Sequence, residues 1–206
     1  MSGYMKDWTF KQCSDGSDEV TSFALTRNYY KYGSRCLMYQ PSGAQLDVMT
    51  RTDITDTIGQ VRLWMYLQTI SSGSILGGPC AMLEWDATNY EDAVGACVYK
   101  TSSNTYFQLG RMSSDGTGFN ATTSNDVTSS TTDDTWYFIT LDFEVSGGDI
   151  ICEANLYDSD VSGTTPINTI GHTYNDAATS GDQVGILFLG SSNNIYVDHF
   201  SFLYNA

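Results

Sequence analysis

The chain has 206 residues, with 24 acids against 9 Lys and Arg and a formal net charge of −15. That balance repels nucleic-acid backbones and anionic membranes, and so argues against both as partners at ordinary salt. Its 14 Tyr, 9 Phe and 4 Trp argue against a disordered chain, and no apolar run reaches the roughly 18 residues that a membrane span needs.

The opening "MSGYMKDWTF" lacks the basic-then-apolar order of a secretory signal, so the expectation is a chain with no such signal or one from which it was removed. An acidic turn follows, "SDGSDE", in which Asp15, Asp18 and Glu19 offer the oxygen ligands that a hard cation prefers. Short segments with period-two alternation then begin, predicting strands over 19–26, 34–40 and 44–51. Between the first two lies "RNYYKYG", where Arg27, Tyr29, Tyr30 and Tyr32 gather rings and charge in one loop. Such rings stack on sugars, anchor a neighbouring subunit, or pack on the chain's own sheet.

The strand at 60–69 divides cleanly. Val61, Leu63, Met65 and Leu67 share one face, while Arg62, Trp64, Tyr66 and Gln68 share the other, which is free to line a groove. A strand at 79–87 carries "LEWD", so Glu84 and Asp86 project from one face as paired carboxylates do in retaining glycosidases. The segment resembles the E-x-D-x-(x)-E of laminarinase-like hydrolases in its first two acids. Thr88 and Asn89 stand where that resemblance implies the acid/base glutamate, so the proton donor it implies is missing, which points away from hydrolysis by this route. Strands at 95–101 and 105–112 lead into a Ser/Thr/Asn-rich segment, 115–134, expected to be an exposed hairpin or mobile loop; it holds a glycosylation sequon at Asn120. "SSDGTG" and "SGGD" are hairpin signals.

Strands at 135–145, 149–158, 183–190 and 194–204 complete the chain, with His172 read as a loop residue between two of them. The last strand, "NIYVDHFSFLY", sets a carboxylate, Asp198, among apolar neighbours. Roughly eleven strands and no capped helical stripe predict an all-β chain of two packed antiparallel sheets, a single domain over 1–206. Five cysteines without a C-x-x-C pair argue against a zinc site and for buried free thiols.

The Trp/Phe start "WTF", the strand "QVRLWMYLQT" and the closing "IYVDHFSFLY" resemble the concanavalin A-like jelly roll. That superfamily includes legume-type lectins, laminin-G-like modules, carbohydrate-binding modules, polysaccharide lyases and laminarinase-like hydrolases. The resemblance implies a two-sheet antiparallel β-sandwich. It implies a structural calcium too, with Asp198 as a ligand and Asp15, Asp18 and Glu19 as its companions; the alternative is an Asp198 that faces solvent. Jelly-roll lyases use Tyr, His, Arg and Gln on a uronate, which Tyr106, Gln108, Arg111 and His172 echo without reproducing the order.

The expected function is a non-enzymatic glycan-binding or structural module, extracellular or on a virion surface. Arg27, Tyr29, Tyr30, Tyr32, Trp64 and Tyr66 are its expected contacts with a glycan or a neighbouring coat-protein subunit. The lysis route by which virion proteins leave a cell would account for the missing signal, and a homo-oligomer is compatible with it. The alternatives are a glycan-cleaving enzyme acting through Glu84 and Asp86, and a purely structural capsid cement protein.

Overall fold

A computed structural model describes residues 8–12, 23–41, 45–51, 58–82, 93–112, 118–158, 165–175, 183–190 and 193–203. Its strands in chain order are β1 (Trp8–Gln12), β2 (Phe23–Thr26), β3 (Cys36–Tyr39), β4 (Gln45–Arg51), β5 (Ile58–Leu67), β6 (Ser74–Met82) and β7 (Ala93–Thr101). They continue with β8 (Thr105–Met112), β9 (Phe119–Asp126), β10 (Thr135–Ser146), β11 (Asp149–Tyr157), β12 (Asn168–Tyr174), β13 (Gln183–Gly190) and β14 (Ile195–Leu203). One 3-10 turn at Thr128–Ser130 interrupts them.

The strands form two antiparallel sheets of seven. One runs β1-β4-β13-β6-β7-β8-β9, the other β12-β11-β10-β5-β14-β3-β2. The two last strands are each inserted into the middle of a sheet, β13 between β4 and β6 and β14 between β5 and β3. Asp198 therefore lies on an internal strand, just where the ladder to β3 ends at Val197 and the ladder to β5 slips.

Alternation explains the packing. On β5 and β10, Val61, Leu63, Met65, Ile139 and Leu141 are all fully buried between the sheets, meeting Ile75, Phe107, Ile186 and Phe188 from the facing sheet. Gly147 and Gly148 take φ of +65° and +97°, and Ser146 pairs with Asp149, so the predicted two-residue hairpin joins β10 to β11. The "SSDGTG" turn falls mostly outside the described residues, but β8 and β9 pair antiparallel around it.

The sheet containing β6 is buried on its far face as well. Leu46, Val48, Leu76, Cys80, Cys97 and Leu187 form a second apolar cluster there. Gly95 lies at its centre: a Cβ would come 2.6 Å from Leu187 Cδ1 and 3.2 Å from the Phe119 ring. Those two residues stand two strands away on opposite sides, so the missing side chain is what lets them close over β7.

Candidate functional site

The outer face of the other sheet carries the rings. β5 sends Arg62, Trp64 and Tyr66 outward, β10 sends Trp136, Phe138 and Asp142, and β14 sends Tyr196, Asp198 and Ser201. An irregular loop, 27–35, folds across them. Tyr29 stacks on Tyr66 with centroids 4.6 Å apart and meets Tyr196 edge-on at 4.7 Å. Tyr32 lies edge-on to Trp64 at 5.9 Å, and the Lys31 ammonium sits 4.3 Å from the centre of the Trp64 ring. These contacts leave Trp64 only 2% and Tyr66 8% exposed, while Tyr30 and Tyr32 remain 51% and 48% exposed.

Asp198 holds the loop in place. The backbone N–H groups of Lys31 and Tyr32 each donate to its Oδ2 at 2.8 Å. Its Oδ1 accepts the N–H of His199, also at 2.8 Å. The ladder to β5 slips between Asp198 and Ser201, and His199 takes a left-handed φ of +51°. This bulge turns the His199 N–H away from the neighbouring strand and onto the carboxylate. A carboxylate with three N–H donors is a well-satisfied anion. The cause of the acid in the last strand is therefore a loop that has to be tied down 166 residues earlier in the chain. The neighbouring Cys36 thiol is pushed up to about 12, first by burial and then by the Asp198 charge.

Beside the loop lies a hollow of about 400 Å³ lined by Tyr32, Arg62, Trp64, Phe138, His199 and Ser201. Arg62 Nε donates to Ser201 Oγ at 3.1 Å. Gln60 Nε2 donates to both oxygens of Asp142, at 2.8 and 3.0 Å. Burial raises the Asp142 carboxyl, and Glu153, its cross-strand partner, raises it further; Gln60 and Arg62 oppose the rise. Chemically the hollow joins aromatic walls to a guanidinium, an imidazole and a hydroxyl. That combination suits a hydroxyl-rich ring.

The sequence-predicted contacts thus divide. Arg27, Tyr30 and Tyr32 are exposed on the loop, whereas Trp64, Tyr66 and much of Tyr29 pack into the chain's own surface. Sequence reasoning missed Phe138, His199 and Ser201. The alternation of β10 pointed to the first; nothing local marked the bulge that aims the other two. Glu84 and Asp86 lie outside the described residues, as do Asp15, Asp18 and Glu19. The partners found around Asp198 are N–H donors, which repel a cation, so its described surroundings do not fit calcium. Among the described residues no three His, Cys, Asp or Glu come together.

His172, read as a loop residue, stands within β12 with its ring 4.6 Å from that of Tyr174. The alternating Ile170 and Tyr174, both buried, were the signal for that strand. Arg111 also meets Tyr174, at 5.8 Å, while Tyr106 and Gln108 share a face of β8 with Ser124 on β9. The lyase-like foursome is therefore not assembled into one site.

No protein-family model matches the chain, and no curated protein does. Solved structures do. A legume lectin-like domain from Entamoeba histolytica superposes with a TM-score of 0.55 at 11% identity, covering 98% of this chain and 92% of that one. A glycoside hydrolase family 16 endo-glucanase from Bacteroides ovatus gives 0.56 at 9%, over 98% and 97%. The fold is the concanavalin A-like jelly roll. A third structure with this jelly roll, the exoplasmic/lumenal domain of VIP36 in a calcium- and Man3GlcNAc-bound form, gives 0.53 at 11%, over 98% and 88%. Identities this low carry the architecture and assign no residue a role. No helix among the described residues is long and apolar enough to cross a membrane.

Proposed function

We propose that the protein is a non-enzymatic glycan-binding module, and that it binds through the outer face of the β5-bearing sheet. One observation carries this reading: the Asp198 carboxylate pins the 27–35 loop so that Tyr32 stands as one wall of the Arg62–Phe138–His199 hollow. Preorganised rings and fixed donors reduce the ordering that a sugar must pay for on binding. Glycan-bound and glycan-cleaving proteins of the same jelly roll, such as the VIP36 domain and the endo-glucanase, support the substrate class. Nothing in the fold or the neighbours supports a virion setting or a coat-protein partner, so the reading includes neither.

A glycan array probed with the wild type, Tyr32→Ala and Phe138→Ala tests it. Binding by the wild type that falls at least about fivefold in both variants is expected, by analogy with a base stacked on one aromatic ring, worth about 1–3 kcal/mol. Unchanged binding in both variants would move the site elsewhere. Turnover of any bound glycan would replace the binding-module reading with an enzymatic one.

A further inference from the structure

Seven Lys and Arg side chains are described in this acidic chain, and their placement is uneven. Lys100 is spent inside the sandwich end, its Nζ 2.6 Å from Asp133, and Arg111 lies against the Tyr174 ring. The other five, Arg27, Lys31, Arg35, Arg51 and Arg62, all belong to the 27–35 loop or to the hollows around it. Among the described residues no carboxylate pairs with Arg27 or Arg35.

The hollows join. One of about 490 Å³ is lined by Leu25, Tyr32 and Arg35, and it shares Tyr32 with the hollow that contains Arg62 and His199. A third, of about 360 Å³, shares Leu25 and Arg35 with the first and His199 with the second, and reaches Arg51 and Trp8 at the mouth between the sheets. Tyr32 and His199, whose rings lie 5.4 Å apart, stand in the walls that these hollows share, and each hollow has a guanidinium in its lining. Of the described carboxylates beside them, Asp198 accepts three N–H groups and Asp142 is held by Gln60.

Resting on the glycan-binding reading, we propose that the ligand of this face is an anionic polysaccharide, one that bears carboxylate or sulfate groups recognised by Arg35 and Arg62. A chain with a net charge of −15 repels such a polymer everywhere else. Among the described residues, five of the seven Lys and Arg side chains gather around this loop, and that bias favours one place and one orientation for the polymer. A neutral glycan would need no such segregation. Guanidinium groups meet carboxylate and sulfate oxygens through paired N–H donors, while Tyr32 and Phe138 take the sugar faces.

The test measures binding of polygalacturonate, dextran sulfate and neutral laminarin to the wild type, Arg35→Gln and Arg62→Gln, at low and at physiological salt. Both variants are checked by thermal melting, since both arginines are at least partly exposed. At least one anionic polymer should bind, laminarin should not, each substitution should weaken binding roughly tenfold, and salt should weaken it further. The two polyanions distinguish carboxylate from sulfate recognition. Laminarin bound as tightly as the polyanions would overturn the charge inference and leave the glycan reading standing. Polyanion binding unchanged in both variants would overturn it too, as would no binding to either polyanion, and the glycan array with Tyr32→Ala and Phe138→Ala then decides the glycan reading by itself.

Discussion

Replacing Asp198 by Ala tests the joint between loop and sheet. The substitution removes the acceptor for three N–H groups, two of them in the loop. A hydrogen bond to a charged group contributes about 1.5–3 kcal/mol, but Tyr32 and His199 are exposed and water replaces much of what they lose. A net loss of about 2 kcal/mol follows, because the three bonds share one acceptor and do not add. For a chain of this length that lowers Tm by about 4–8 °C. The decisive measurement is amide hydrogen exchange at Lys31 and Tyr32, read with tryptophan fluorescence as Trp64 loses its cover. Both amides should exchange faster in Asp198→Ala, and glycan binding should fall with them. If they keep their protection and Tm moves by less than about a degree, the carboxylate does not hold the loop.

Calcium provides a second check: any shift in Tm that calcium produces should be the same in the wild type and in Asp198→Asn, because N–H donors already occupy that carboxylate. Asp142→Asn should raise stability at pH 7. Its folded carboxyl is raised above the ordinary 3.8, so the wild type is unpenalised below that value and loses stability as pH rises through the folded pKa; the gap between the two in pH-dependent melts should close toward pH 4. Gly59→Ala should cost about 1–3 kcal/mol in urea unfolding, since the Phe202 ring occupies the place of the new methyl and Leu203 O lies 2.9 Å from it. Cys36, Cys80, Cys97 and Cys152 are buried thiols outside any disulfide, and burial pushes Cys36 and Cys152 up to about 12 and Cys97 higher still. Mass analysis after alkylation of the native protein at pH 8 should find none of the four modified, and all of them modified in denaturant.

The sheets were legible because alternation is a local signal. The strand expected at 105–112 is β8 residue for residue, and the two faces predicted for β5 are the two faces it has. Three strands escaped that reading. β1 holds only five residues. β9 is an edge strand whose Ser, Thr and Asn side chains are mostly exposed, so its pairing with β8 needs no apolar pattern. β12 was obscured by Gly171 and His172 at its centre.

The site was less legible, because its logic is long-range. The outward row of Arg62, Trp64 and Tyr66 looked like an open groove wall, yet two of its three members are buried. What covers them is a loop with no periodicity of its own, and what secures that loop is a single acid from the last strand. Neither segment announces the other. Loop rings alone would be free to move, and an isolated Asp among apolar residues would be costly; each becomes tolerable through the other. The same reciprocity separates structural from recognition roles within "RNYYKYG". Tyr29 is committed to Tyr66 and Tyr196, which fixes the path of the backbone, and the exposed Tyr30, Tyr32 and Arg27 are thereby presented at defined positions rather than as a mobile tuft. A change at Tyr29 should therefore weaken ligand binding through loop order, and a change at Tyr32 through contact. Hydrogen exchange across 27–35 separates the two, rising in Tyr29→Ala and holding in Tyr32→Ala.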